Sequence, residues 1–312
     1  MARRPIDIPV PDLTGRRALV TGGSDGIGLA LATRLAGRNA EVLLPVRDRR
    51  KGEAAVARIR ERHPAARVTL HDLDLASLDS VGSLASRLAE TGAPLHLLVA
   101  NAGVMTPPAR RTTADGFELQ LGTNHLGHFA LLGRLLPLLR AGAARVVSQV
   151  SVAAGQGAVN WDDLQWERRY HAMRAYSSSK IAFGLFGLEL QRRSAAGEWG
   201  ITSDLAHPGV APTSLLAART ATGRSRDGLD VRTIRFLSRI GILVGTAETA
   251  SLPALLAATS TGGGGRLIGP SGPGHLGGAP AEQRPFSRVA DVDDARRMWG
   301  LSEELTGVRF PA

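Results

Sequence analysis

The chain has 312 residues, 43 % of them apolar and 21 % charged, with a formal net charge of +10 and no cysteine. That length and balance suit one sizeable buried core and exclude a disordered, collagenous or disulfide-stapled chain, while the missing thiols exclude disulfides, thiol nucleophiles and thiolate metal sites. The basic residues are nearly all Arg, scattered in ones and twos without an aromatic-interleaved patch, and no run approaches the roughly 18 apolar residues of a membrane span, so neither nucleic acid nor a bilayer is the expected partner.

In chain order, Arg17-Ala18-Leu19-Val20 is a short apolar strand that ends in the turn Thr21-Gly22-Gly23-Ser24, and a helical period then carries Ile27, Leu31 and Leu35 toward Gly37. Glu41 to Val46 reads as a second strand, Lys51 to Arg62 as a helix stopped before Pro64, and Val68 to Leu70 as a third strand, with Ser77 capping the next helix. Leu95 to Ala100 is an apolar strand ending at Asn101-Ala102-Gly103. A long helix follows over about Asp115 to Leu139, then strand Arg145 to Val150, helix from about Arg174 to Arg193 and strand Ile201 to Leu205. The stretch from Ala211 to about Gly245 has no clean period and reads either as a substrate lid or as a surface loop. Gly/Pro-rich loops frame a last strand at Arg266 to Ile268, and a loop and helix extension occupies about 270–312, with the helix from about Asp291 to Leu305.

Short apolar strands alternating with helices predict an α/β fold: one doubly wound, mostly parallel sheet with helices on both faces, a single domain over residues 1–312, binding ligands beyond the carboxyl ends of its strands. Gly22, Gly26 and Gly28, interleaved with Ser24 and Ile27, follow the first strand and open the first helix, the context of a dinucleotide-binding turn. A tight turn needs positive φ, absent side chains let amides approach a pyrophosphate, and the helix N-terminus offers unpaired donors. Arg47 stands first after the second strand and favours the 2′-phosphate of NADP(H), with NAD(H) the alternative if Asp48 turns to the ribose; both residues could instead cap the following helix. Tyr176 and Lys180 lie four apart on one predicted helical face, where an ammonium would lower the phenol's pKa toward a range useful for proton transfer. His125 and His128 could suggest a metal, but no third ligand is evident, so packed or solvated rings and no metal are expected.

At this point the chain resembles the short-chain dehydrogenase/reductase family from Thr14 to about Gly269. The matching pieces come in order: Thr21 to Gly28, Asp74-Leu75, Ala100-Asn101-Ala102-Gly103, Asn124, Ser151, Tyr176-Ser177-Ser178-Ser179-Lys180 and His207-Pro208-Gly209. The resemblance implies an NAD(P)-dependent oxidoreductase with Tyr176 as general acid/base, Ser151 orienting the substrate oxygen, Lys180 on the nicotinamide ribose and Asn124 holding a proton-relay water. Ser148 is the rival to Ser151, which is preferred because it falls just past the fifth strand. Asp74 resembles the adenine-contacting acid, or caps the helix near Ser77; Asn101, Ala102 and Gly103 would lie along the adenosine-side ribose, Pro208 and Gly209 along the nicotinamide, and Thr213 at its carboxamide.

Gln120 to Phe129 and Asn160-Trp161-Asp162-Asp163-Leu164 look like the retinol-dehydrogenase-like branch, which also carries Arg-Asp after the second strand. The interval between Ser151 and Tyr176 is longer than is usual in the family and bears Trp161 and Trp166. The sequence departs from the branch at Ala100, at Gln149-Val150 before the serine, and in having no membrane anchor ahead of the domain, a departure that speaks against a retinoid substrate. The expected protein is thus a cytoplasmic NADP(H)-dependent enzyme interconverting a carbonyl and an alcohol, either as a monomer or as a homo-oligomer. Met105, Trp161 and Leu215 would give its pocket a lipophilic or aromatic preference. The alternative keeps the fold as a nucleotide-binding regulatory or scaffold protein without catalysis.

Overall fold

The computed structural model describes residues 6–211 and 245–311. Strands β1 (Arg17–Val20), β2 (Glu41–Val46), β3 (Val68–Asp72), β4 (Leu97–Ala100), β5 (Arg145–Gln149), β6 (Thr202–Ala206), β7 (Leu267–Pro270) and β8 (Pro280–Gln283) form one sheet in the order β3-β2-β1-β4-β5-β6-β7-β8. The first seven pair in parallel, and β8 lies antiparallel on β7 at the edge. Sequence reasoning took the segment around β8 for loop, because Pro280-Ala281-Glu282-Gln283 after a Gly/Pro-rich run carries no apolar alternation; pairing with β7 makes the strand.

Helices α1 (Gly26–Ala36), α2 (Arg49–Arg62) and α7 (Ala247–Thr259) cover one face, while α3 (Leu78–Glu90), α5 (Gly127–Ala141) and α6 (Ala172–Ala196) cover the other. Central strands buried on both faces are continuously apolar, as in Leu97–Ala100, because a parallel sheet exposes neither side. On the α1 face Leu31, Leu35, Leu252 and Leu255 close the core. Opposite, Phe129, Phe183 and Phe186 form an aromatic layer completed from the C-terminal end. There the short helix α8 (Ser287–Ala290) leads into α9 (Val292–Thr306), whose Trp299 lies 5.4 Å from Phe129 and 5.5 Å from Phe186. Full burial of each such ring stabilises the fold by about 1.5–3 kcal/mol, so the C-terminal extension is part of the core that seats α6.

The long helix begins later than the sequence suggested. A bridge between Thr112 and Glu118 occupies the preceding turn; a short α4 (Leu119–Leu121) then runs through a π-helical turn, Gly122–Leu126, into α5. The crowding that shapes this stretch is visible at Gly127, where a Cβ would stand 2.3 Å from the Leu75 carbonyl oxygen. The segment read as a lid or surface loop, with Thr213 and Leu215 on it, falls in residues 212–244, outside those described.

One buried charge ties three strands at the amino end of the sheet. Asp204, with no exposed side-chain surface, accepts from Arg145 Nη1 at 2.8 Å and from the Arg266 amide, Nε and Nη2 at 3.0, 3.2 and 2.7 Å. Asp204→Ala leaves two guanidiniums without their counter-charge and should cost about 3–5 kcal/mol; thermal denaturation that finds no destabilisation would show the cluster to be dispensable.

Candidate active site

The carboxyl ends of β1, β4, β5 and β6 open into a cavity of about 390 Å³. Its wall carries the glycine turn after β1, Asn101, Ala102 and Gly103 after β4, Ser151 after β5, Tyr176 and Lys180 from α6, and Pro208 and Gly209 after β6. The strand order reverses between β1 and β4, which is where such sheets leave a crevice for a dinucleotide.

The turn is built by close approach. Gly22 has φ +68°, and a Cβ there would meet the Ala102 Cα at 2.9 Å; a Cβ on Gly28 would stand 2.3 Å from the Gly22 carbonyl oxygen. Asn101 Nδ2 donates to the Thr21 carbonyl at 2.9 Å, and Asp25 caps α1 by accepting from the Gly26 amide at 2.7 Å. The bare backbone of the turn and a helix N-terminus face one cavity, so the donor set fits a dinucleotide pyrophosphate.

Tyr176 is 4 % exposed and Lys180 3 %. Lys180 Nζ donates to the Gln149 carbonyl oxygen at 2.9 Å and lies 5.7 Å from the centroid of Phe183; burial lowers its pKa to about 8. Burial also pushes the Tyr176 phenol up, and the hydrogen bond with Ser151 draws it part of the way back. The sequence expectation that Lys180 would pull the phenol down is therefore corrected for the protein by itself: desolvation dominates, and the partner that favours the phenolate is Ser151. The Ser151 hydroxyl also accepts from the Ala153 amide at 3.2 Å, which fixes it at the start of a short helical turn. Ser148 is fully buried and faces α6, where a Cβ on Gly187 would lie 3.1 Å from its hydroxyl, so only Ser151 reaches the cavity.

Asn124 sits in the π-helical turn, off the cavity wall. Its Oδ1 accepts from the Val104 amide at 2.8 Å, and its Nδ2 donates to the Val104 carbonyl at 3.0 Å and to Ser179 Oγ at 2.9 Å. With the side chain so committed, the main-chain carbonyl is the atom left to hold a water, and His128 Nδ1 already lies 3.1 Å from it. His128 Nε2 is 3.0 Å from the Thr21 hydroxyl, and a neutral ring that donates from Nδ1 accepts there. Burial agrees, lowering the pKa of both His125 and His128 to about 3. These rings are packed, as expected, and the described residues contain no cluster of three or more metal-ligating side chains.

Other expected residues fall away from the cavity. Asp74 turns back to accept from the Ala76 amide at 2.9 Å, Ser77 is the cap of α3, and Leu75 is packed in the core. Trp161, expected in the pocket, instead lies beneath the Arg297 guanidinium at 4.3 Å; Met105, Val152 and Met173 supply the apolar lining. Asp48 caps α2 through the Lys51 amide at 3.2 Å, while Arg47 is exposed at the end of β2. Arg58, which sequence reasoning missed, reaches the Ser24 carbonyl at 3.4 Å; a lone helical Arg carried no signal.

A family model described as short chain dehydrogenase matches residues 16–223. Retinol dehydrogenase 13 of Homo sapiens is 36 % identical over 302 residues, covering 96 % of this chain and 87 % of its own. Polyprenol dehydrogenase of Mus musculus is 38 % identical over 307 residues, covering 96 % and 86 %. Among solved structures, an uncharacterised protein from Mycobacterium paratuberculosis has a TM-score of 0.77 at 35 % identity and covers 97 % of both chains. The Pseudomonas aeruginosa RhlG/NADP active-site complex has a TM-score of 0.65 at 26 % identity, covering 86 % of this chain and 100 % of that one. The chain belongs to the short-chain dehydrogenase family, and is an oxidoreductase acting on CH–OH or C=O groups. Within that family it lies in the retinol-dehydrogenase-like branch. Among its described residues no helix is long and apolar enough to cross a membrane.

The two buried histidines make acid stability a direct readout of this packing. Their folded pKa of about 3 lies below the ordinary 6.5, so below pH 6.5 the unfolded chain binds protons the folded one refuses. Stability should fall by about 1.4 kcal/mol per pH unit for each ring as pH drops from 6.5 toward 3. Denaturant titrations across that range should lose one proton's worth of slope in His125→Asn; an unchanged slope would contradict burial of the neutral ring.

Proposed function

We propose that the protein interconverts a lipophilic carbonyl compound and its alcohol with NADP(H), using Tyr176 as the general acid/base. The observation that carries this reading is the meeting of Ser151, Tyr176 and Lys180 on the wall of the same cavity as the glycine turn. When bound, the reduced cofactor supplies hydride to the carbonyl carbon. Tyr176 hands its phenolic proton to the carbonyl oxygen in reduction and receives it back in oxidation. Ser151, held by the Ala153 amide, donates to the oxygen as negative charge develops there. Lys180, held by the Gln149 carbonyl, would donate to a ribose hydroxyl of the bound cofactor, and Asn124 fixes the Val104 backbone and the Ser179 hydroxyl behind the site.

The burial that raises the Tyr176 pKa keeps it a phenol at neutral pH, the form a carbonyl reduction consumes. The lipophilic substrate class rests on Met105, Val152 and Met173 in the lining and on the names of the relatives, retinol and polyprenol dehydrogenases. NADP(H) rests on exposed Arg47 at the end of β2, on the use of Asp48 as a helix cap, and on NADP in the RhlG complex and in a short chain dehydrogenase of Burkholderia cenocepacia J2315.

Tyr176→Phe should lower turnover about 10²–10⁴-fold and leave NADPH affinity within a few-fold, measured by fluorescence titration beside steady-state assays on aliphatic and aromatic aldehydes. Oxidation should speed up with rising pH while reduction slows, because the two directions need opposite forms of the phenol. Retained turnover in the variant would remove Tyr176 from the chemistry. Separately, Arg47→Ala should weaken NADPH about ten- to a hundredfold and NADH little, as loss of a guanidinium–phosphate pair implies; equal effects on both would move the 2′-phosphate contact elsewhere.

A further inference from the structure

The last residue of β5 carries a polar group that the protein does not use. Gln149 is 5 % exposed, and neither its Oε1 nor its Nε2 has a hydrogen-bond partner. Its neighbours in the sheet offer none. Ala206 is its register partner on β6, and Asn101, one step beyond the Ala100–Ser148 pair, spends its amide nitrogen on the Thr21 and Gly22 carbonyls. Leaving a buried amide unpaired carries the full cost of its desolvation, and an apolar side chain of the same shape would avoid it. A primary amide kept here implies a partner that arrives from outside the protein.

The cavity is where that partner can come from. Gln149 lines it two residues before Ser151, and its own carbonyl oxygen anchors Lys180. It therefore shares that cavity with the groups that would hold the reacting end of a dinucleotide and with the turn that would hold its pyrophosphate. The geometry points to Gln149 as a specificity-determining residue that hydrogen-bonds the nicotinamide riboside half of the cofactor, through a ribose hydroxyl or the ring carboxamide, each of which both donates and accepts as the Gln amide does. This inference rests on the cofactor reading above and adds one residue to it. Because the anchor for Lys180 is main chain, a side-chain substitution leaves that contact in place.

The test uses Gln149→Met, which keeps length and volume and removes both polar atoms, with Gln149→Leu as a second apolar variant. Each protein is titrated with NADPH and with adenosine 2′,5′-bisphosphate, which contains the adenosine end and no nicotinamide riboside, and its melting temperature is recorded without ligand. The expected result is a free protein melting at or above wild type, NADPH bound about tenfold more weakly, and the bisphosphate bound within twofold of wild type. Unchanged NADPH affinity would overturn the inference. So would a lower melting temperature with both ligands weakened alike, the mark of a structural amide. Wild-type protein that binds the bisphosphate and not NADPH would also overturn it, whereas failure of wild type to bind either compound would bring down the cofactor reading itself.

Discussion

One threonine hydroxyl holds together the two loops that the rest of the site depends on. Where β1 and β4 part, the chain must turn away in opposite directions and still leave its backbone amides paired, since a buried unpaired amide is costly. Thr21 resolves this by accepting from the Asn101 and Ala102 amides at 2.9 and 3.0 Å, while the Asn101 side chain returns a bond to the Thr21 carbonyl. The glycines follow from that approach: with the two loops this close, no Cβ fits at Gly22 or Gly28. The same hydroxyl meets His128, which reaches the Asn124 carbonyl in the π-helical turn. The phosphate-binding backbone and the helix behind the proton-transfer residues are thus joined through one ring that burial keeps neutral and two polar contacts hold in place.

The aromatic layer gives that ring its rigidity. His128 stacks on Phe183 at 5.0 Å, and Phe183 stacks on Phe186, which packs on Trp299 of α9. Phe183 and Phe186 belong to α6, the helix that carries Tyr176 and Lys180. A helix of 25 residues could shift along its axis by small amounts if only aliphatic side chains held it; flat rings in fixed tilted and stacked pairs resist such slippage. The C-terminal segment therefore serves the site without touching it.

Legibility in the sequence followed how local each signal was. The strand-turn-helix of Arg17 to Ala36 could be read because its glycines and its helical period are adjacent in the chain, and the i,i+4 pair Tyr176–Lys180 because two rare residue types meet at one helical spacing. Seven of the eight strands announced themselves, six as apolar runs beside helices and the seventh between Gly/Pro-rich loops; the edge strand Pro280–Gln283 did not, because its partner and not its composition makes it a strand. Trp161 was misplaced for a related reason, since its residue type allows the expected contact and only the tertiary arrangement sends it elsewhere; for Asp74 the adenine contact and a cap near Ser77 were equally open, and the fold puts its carboxylate on the Ala76 amide. Gln149 was visible as a departure from the branch pattern, but its unpartnered amide is a fact about its neighbours in three dimensions. The Thr21–His128–Asn124 chain spans segments far apart in sequence and left only the spacing of Asn124 and His128 as a trace.

Burial acts on three titratable groups of this site in the same sense, yet leaves them in different states because they start from different pKa values. Desolvation disfavours whichever form is charged. His128, ordinarily near neutrality, is driven to about 3 and remains neutral throughout the physiological range. Tyr176 starts high and is pushed higher, so it keeps its proton. Lys180 falls to about 8 and still carries its charge at pH 7, stabilised by the Gln149 carbonyl and the Phe183 ring. Among the described residues these three groups thus give the site a neutral acid, a neutral linker and a cation. A carbonyl oxygen gaining negative charge beside Tyr176 and Ser151 would meet a proton, a hydroxyl donor and the Lys180 charge in surroundings of low dielectric, where each counts for more than it would in water.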